Sequence, residues 1–117
     1  MHGLHLTADL RGCRAQLPIM GNADALRRLC LASVSTAGLR PVGELFQAFP
    51  QPGGVTGMVL LAESHLAVHT WPEHGYAAVD IFTCNLDADI DAGIEAISKH
   101  LLPARTQVME VRRGLQP

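Results

Sequence analysis

From residue 41 to residue 83 the chain offers apolar, strand-like segments joined by turns too short for anything but hairpins. The segments are residues 41–49, 55–62, 66–70 and 76–83. Between them lie a turn marked by Pro50, Pro52, Gly53 and Gly54, a polar break at Glu63-Ser64-His65, and the turn Pro72-Glu73-His74-Gly75. A parallel crossover needs roughly a dozen residues or more, so these strands must pair antiparallel. The flanks supply helices. Asn22 caps a predicted helix over 23–37, with Leu26, Leu29, Cys30 and Val34 at helical spacing and Gly38 as its stop. Asp87 or Asp89 opens a second helix to about residue 101, with Ile90, Ile94 and Ile97 on one face and Pro103 beyond it. Residues 2–10 alternate and predict a first strand, residues 106–111 a last one, and Gly12, Pro18 and Gly21 predict a loop over 11–22. The expected class is α+β, a two-layer α/β sandwich whose mostly antiparallel sheet carries two helices on one face, in one domain over 1–117.

Charge and cysteine usage narrow the function classes. Net charge is -2 and only 17% of residues are charged, which gives no electrostatic footprint for nucleic acid or an anionic membrane. The same low charge leaves room for an apolar surface that a second subunit covers. No stretch approaches the roughly 20 apolar residues of a membrane span, and the first ten residues lack the basic-then-apolar order of a signal peptide. Cys13, Cys30 and Cys84 are odd in number and widely spaced, so no disulfide framework is expected and a reducing cytoplasm is the default.

The chemistry concentrates in Glu63-Ser64-His65-Leu66-Ala67-Val68-His69-Thr70-Trp71-Pro72-Glu73-His74-Gly75-Tyr76, with Cys84 ending the next strand. Residue types alone leave several uses open. A zinc site from His65, His69, His74 and Cys84 is disfavoured, because spacings of four and five suit a helix and no Cys-x-x-Cys pair is present. A serine hydrolase would want a Gly-x-Ser-x-Gly elbow around Ser64. Phosphate binding by Gly53-Gly54 and Gly57 would want a following helix, not a strand. The plainest use is as satisfied polar residues on a sheet edge, with Phe49 and Cys84 as core side chains and Glu73 as a solvated turn acid.

The run 62–84 as a whole closely resembles the signature of the bacterial and archaeal S-adenosylmethionine decarboxylase proenzymes. Asp9-Leu10-Arg11-Gly12-Cys13, Phe49 with Gly54-Val55-Thr56-Gly57, and the Arg113-Gly114 ending are similar to that family too, so the resemblance spans essentially the whole chain. It implies a carboxy-lyase that cuts itself between Glu63 and Ser64, giving a β chain of 1–63 and an α chain of 64–117. Ser64 becomes a pyruvoyl group that holds the substrate amine as a Schiff base, with no metal. His69 matches the histidine that assists processing and Cys84 the proton donor. Phe49 matches the aromatic that stacks on adenine, Glu73 the acid that holds the ribose, and Thr56 the position of a serine near the processing site. His65 is a second candidate base, since His65, Ala67 and His69 share one strand face. The resemblance further implies a homodimer or higher homo-oligomer with interfacial active sites and a product that donates aminopropyl groups in spermidine synthesis.

The implied self-cleavage is chemically sound. A hydroxyl tethered beside the preceding carbonyl replaces a bimolecular encounter. Attack converts the Glu63 amide into an ester, and loss of the Ser64 α-proton then expels it. The remaining dehydroalanine tautomerises and hydrolyses to the pyruvoyl group and ammonia. An imidazole is a suitable base because it titrates near neutral pH. The sequence departs from the usual pattern at Gln47-Ala48, Arg11 and Asn85, and by one extra residue in the turn 50–54. The first of these lies near Phe49, so an ornithine or arginine decarboxylase is the alternative substrate class. An unprocessed, non-catalytic binding paralogue is the alternative from another class.

Overall fold

The computed structural model describes residues 2–50, 52–62 and 64–114. Its elements run β1 (Gly3–Arg11), α1 (Gln16–Met20), α2 (Ala23–Thr36), β2 (Pro41–Ala48), β3 (Val55–Leu61), β4 (Ser64–Trp71), a 3-10 turn (Pro72–His74), β5 (Tyr76–Thr83), α3 (Ile90–Leu101) and β6 (Arg105–Arg113). The six strands form one antiparallel sheet in the order β2-β3-β4-β5-β1-β6. The middle hairpins supply four neighbouring strands, and the two terminal strands complete the sheet beside β5.

The helices start and stop where local chemistry dictates. The Asn22 side chain accepts the Ala25 N–H at 2.9 Å, and Asp89 accepts that of Ala92 at 3.0 Å, so each long helix has one of its unpaired donors satisfied. Helix α2 buries Leu26, Leu29, Cys30, Ser33 and Val34, and α3 buries Ile90, Ile94, Ile97 and Leu101. These stripes meet one sheet face, formed by Leu6, Ala8 and Leu10 of β1, Val55, Val59 and Leu61 of β3, Leu66 and Val68 of β4, and Ala77, Val79 and Ile81 of β5. The expected two-layer arrangement is therefore present, with the opposite sheet face left uncovered.

Two local features differ from the sequence expectation. The predicted loop over 11–22 contains the short α1, in which Pro18 stands within the first turn, where its missing N–H is no loss. The polar break before Leu66 does not exist either. β4 begins at Ser64, which pairs with Leu61 of β3 and with Thr83 on its other side. The alternation of Leu66, Val68 and Thr70 toward the helices simply extends back to Ser64.

The turn after β2 is tightly built. Phe49 N–H donates to the Gly54 carbonyl at 2.9 Å and Gly53 N–H to that of Pro50 at 2.8 Å. A Cβ on Gly54 would run into the Thr70 carbonyl, so only glycine lets β3 start this close to β4. Gly54→Ala is expected to cost about 3 kcal/mol of stability, read from the urea midpoint at unchanged slope.

Candidate active site

Strand parity sorts the polar residues onto two faces. Ser64, Leu66, Val68 and Thr70 of β4 point to the helices, and His65, Ala67, His69 and Trp71 to the uncovered face. On β5, Thr83 shares the helix face, whereas Tyr76, Ala78, Asp80 and Phe82 lie on the uncovered one. Antiparallel pairing then sorts the same residues to opposite ends of the sheet.

At one end stand Ser64, His65, Thr83 and Cys84. The half-buried Ser64 donates its hydroxyl to Thr83 Oγ1 at 2.9 Å. Thr83 is 1% exposed, and the same oxygen accepts the Asn85 N–H at 2.9 Å. Cys84, between those two residues, is half-buried. On the other face the His65 ring lies 5.8 Å from that of Phe82 and 6.5 Å from that of His5. Arg113 reaches over Phe82 at 5.2 Å. His5 Nε2 is buried with no hydrogen-bond partner, 4.0 Å from the Asp80 carboxylate. Glu63, the residue before the expected cleavage bond, lies outside the described residues.

At the other end His69 Nδ1 sits 3.2 Å from the Thr56 hydroxyl on β3. A row of rings continues from it. His69 tilts against Trp71 at 6.1 Å, and Trp71 stacks on Tyr76 at 5.2 Å. Tyr76 donates to Asp9 at 2.7 Å and lies under Arg11 at 5.0 Å. The hydrogen bond to Asp9 holds the Tyr76 phenol above its ordinary pKa, with burial adding to the effect. Phe49, about half exposed, follows β2 at this end, and the exposed Glu73 sits in the 3-10 turn after Trp71.

The structure therefore brings Ser64 together with Cys84's loop, and His69 together with Thr56. It does not bring Ser64 and His69 together within one copy. Five residues of strand put them about 16 Å apart, on opposite faces. The zinc alternative divides in the same way, and among the described residues no group of three or more His, Cys, Asp or Glu gathers that could hold a metal. Burial pushes the Cys30 thiol up to about 12 and raises that of Cys13, which suits inert core residues. Thr83 and the Asp9–Tyr76 pair were not singled out by sequence. The signal for Thr83 was nevertheless present: in Ala77, Val79, Ile81, Thr83 a hydroxyl takes the fourth place on an apolar face.

Known proteins resemble this chain in sequence and fold. The sequence model of the S-adenosylmethionine decarboxylase family matches residues 4–114. The S-adenosylmethionine decarboxylase proenzyme of Persephonella marina is 40% identical over 115 residues, covering 98% of this chain and 84% of that one. The corresponding proenzyme of Thermococcus onnurineus is 36% identical over 114 residues, covering 97% and 79%. The crystal structure of the adenosylmethionine decarboxylase from Aquifex aeolicus superposes with a TM-score of 0.87 at 36% identity, covering 98% of this chain and 92% of that one. With the match running through both ends of the sheet and nearly the full length, the chain belongs to the S-adenosylmethionine decarboxylase family.

Proposed function

We propose that this chain is a proenzyme that cuts itself before Ser64 and then decarboxylates S-adenosylmethionine, yielding the aminopropyl donor of polyamine synthesis. The observation that carries the proposal is a serine hydroxyl at the first residue of β4, held by Thr83, in a chain that the family matches from residue 4 to 114.

Ser64 Oγ attacks the Glu63 carbonyl, and its proton passes to the Ser64 nitrogen as the C–N bond breaks. A base then removes the Ser64 α-proton and the Glu63 carboxylate leaves from Cβ. Hydrolysis at Cα releases ammonia and leaves a pyruvoyl group at residue 64. The residues present fit that group: Ser64 carries the needed hydroxyl, is half-buried, and is held by Thr83 rather than lost in the core. When formed, the group supplies an electron sink for the pair released with carbon dioxide. Cys84 holds the proton that returns to the product carbon, and a reducing cytoplasm keeps its thiol available. Phe49 offers a face to adenine and to the sulfonium, and Glu73 accepts hydroxyl hydrogen bonds from the ribose.

The separation of Ser64 from His69 supports an active site shared between copies. The uncovered face exposes Leu45, Met58, Leu60, Trp71, Met109 and Val111, a broad apolar surface for a monomer to leave in water. A two-fold contact between two such faces, with their strands reversed, lays the Ser64 end of one copy on the His69 end of the other, twice. Thr56 then orients the His69 imidazole toward the neighbouring Ser64 end from the side of the sheet opposite the Ser64 hydroxyl, as the base for the α-proton and not for the hydroxyl.

The test is direct. Purified protein is expected to separate into chains 1–63 and 64–117 by intact mass, and to release carbon dioxide from carboxyl-labelled S-adenosylmethionine. Release from ornithine or arginine alone would overturn the substrate. A chain that stays whole after long incubation would overturn the self-cleavage.

A further inference from the structure

Three hydroxyl side chains are buried among the described residues: Ser33, Thr70 and Thr83. Two of them join layers of the fold. Ser33 donates to the Gly93 carbonyl at 2.7 Å and so ties α2 to α3. Thr70 donates to the Met20 carbonyl at 2.6 Å while accepting the Val55 N–H at 2.9 Å, and so ties α1 to the sheet. Thr83 does neither. Its oxygen accepts from Ser64 Oγ on the facing strand and from Asn85 N–H two residues on. A valine would fill the same place on the apolar face, suit a strand equally well and need no partner. The hydroxyl therefore has a use beyond packing.

We propose that Thr83 is a positioning residue for self-cleavage, its one hydroxyl oxygen fixing both the Ser64 side chain and the backbone that carries Cys84. This rests on the self-processing proposed above. A serine hydroxyl has three staggered positions, and attack on the preceding carbonyl needs the oxygen in one of them. Thr83 limits that freedom. It thereby favours the step in which the Oγ–C bond forms, the Glu63 C–N bond breaks and the hydroxyl proton goes to the Ser64 nitrogen. Through the Asn85 N–H the same oxygen closes the short turn in which Cys84 lies, so the nucleophile and the thiol share one anchor.

Thr83→Val tests this. Cleavage into 1–63 and 64–117, followed by intact mass at 37 °C, is expected to slow about tenfold or more, the usual scale for one lost hydrogen bond to a reacting group. Thr83→Ser keeps the oxygen and is expected to cleave within about threefold of wild type, a rescue that lost packing alone would not give. Thr83→Ala serves if the valine variant does not fold, with melting by circular dichroism as the control. Alkylation supplies a second readout. Cys13 and Cys30 belong to 1–63, so the mass of 64–117 reports Cys84 alone, and its labelling rate is expected to change severalfold in the valine variant but not in the serine variant. A folded Thr83→Val that cleaves as fast as wild type overturns the inference while leaving self-cleavage standing. A wild-type chain that never cleaves overturns the self-cleavage instead.

Discussion

Ser64→Ala is expected to remain a single chain of 117 residues under conditions that divide the wild type completely, and to release no carbon dioxide from any amine substrate. The size of the effect follows from what the hydroxyl does. A tethered nucleophile in reacting geometry corresponds to an effective concentration on the order of 10⁵ M or more, and no other group replaces it after the substitution. Loss of cleavage by a factor beyond about 10³ is therefore expected, not a partial slowing. Stability should barely change. The alanine loses one half-buried hydrogen bond to Thr83, worth about 1 kcal/mol, and keeps its pairing with Leu61 and Thr83 in the sheet. Intact mass and thermal melting together separate the two effects. A Ser64→Ala chain that still divides between 63 and 64 would show that cleavage comes from another nucleophile or from a contaminating protease.

Much of this was legible in the residue order, and what was not has identifiable reasons. The sheet followed from short turns, which leave no room for crossovers, and the long helices from Asn22, Asp89 and their apolar stripes. Helix α1 was hidden because five residues carrying Pro18 show no period. The start of β4 was hidden because Glu63, Ser64 and His65 interrupt the apolar run, so hydropathy alone ends the strand at Leu66. Backbone pairing with Leu61 and Thr83 outweighs that interruption. The same error concealed the site's division. His65, Ala67 and His69 were correctly placed on one face, but a strand that starts at residue 66 assigns Ser64 to neither. Once β4 begins at Ser64, an odd separation from His69 forces opposite faces, and the strand's length forces opposite ends. Thr56 beside His69 depends on the register of β3 with β4, a long-range pairing that turn chemistry only partly sets.

That division gives the second large effect. His69→Ala alone and Ser64→Ala alone are each expected to stay whole, the first for want of a base and the second for want of a nucleophile. Co-expressed with different tags, the two should behave unlike either parent. In a mixed pair, one site receives both substitutions and is dead, having neither nucleophile nor base. The other site combines the intact Ser64 of the His69→Ala copy with the intact His69 of the Ser64→Ala copy. The chain bearing His69→Ala should then be cut, and the chain bearing Ser64→Ala never. If His69 acted within its own copy, neither chain in the mixture would be cut, because every copy would lack one of the two groups. The roughly 16 Å of strand between the residues stands against that arrangement, and pairing on both sides holds β4 in place. Tag-resolved mass spectrometry of the mixture distinguishes the outcomes, with gel filtration confirming that mixed pairs form. Weakening the uncovered face, for example by Leu45→Glu with Met109→Glu, should abolish the rescue in proportion to the loss of pairs, because both positions project from the face that would be buried.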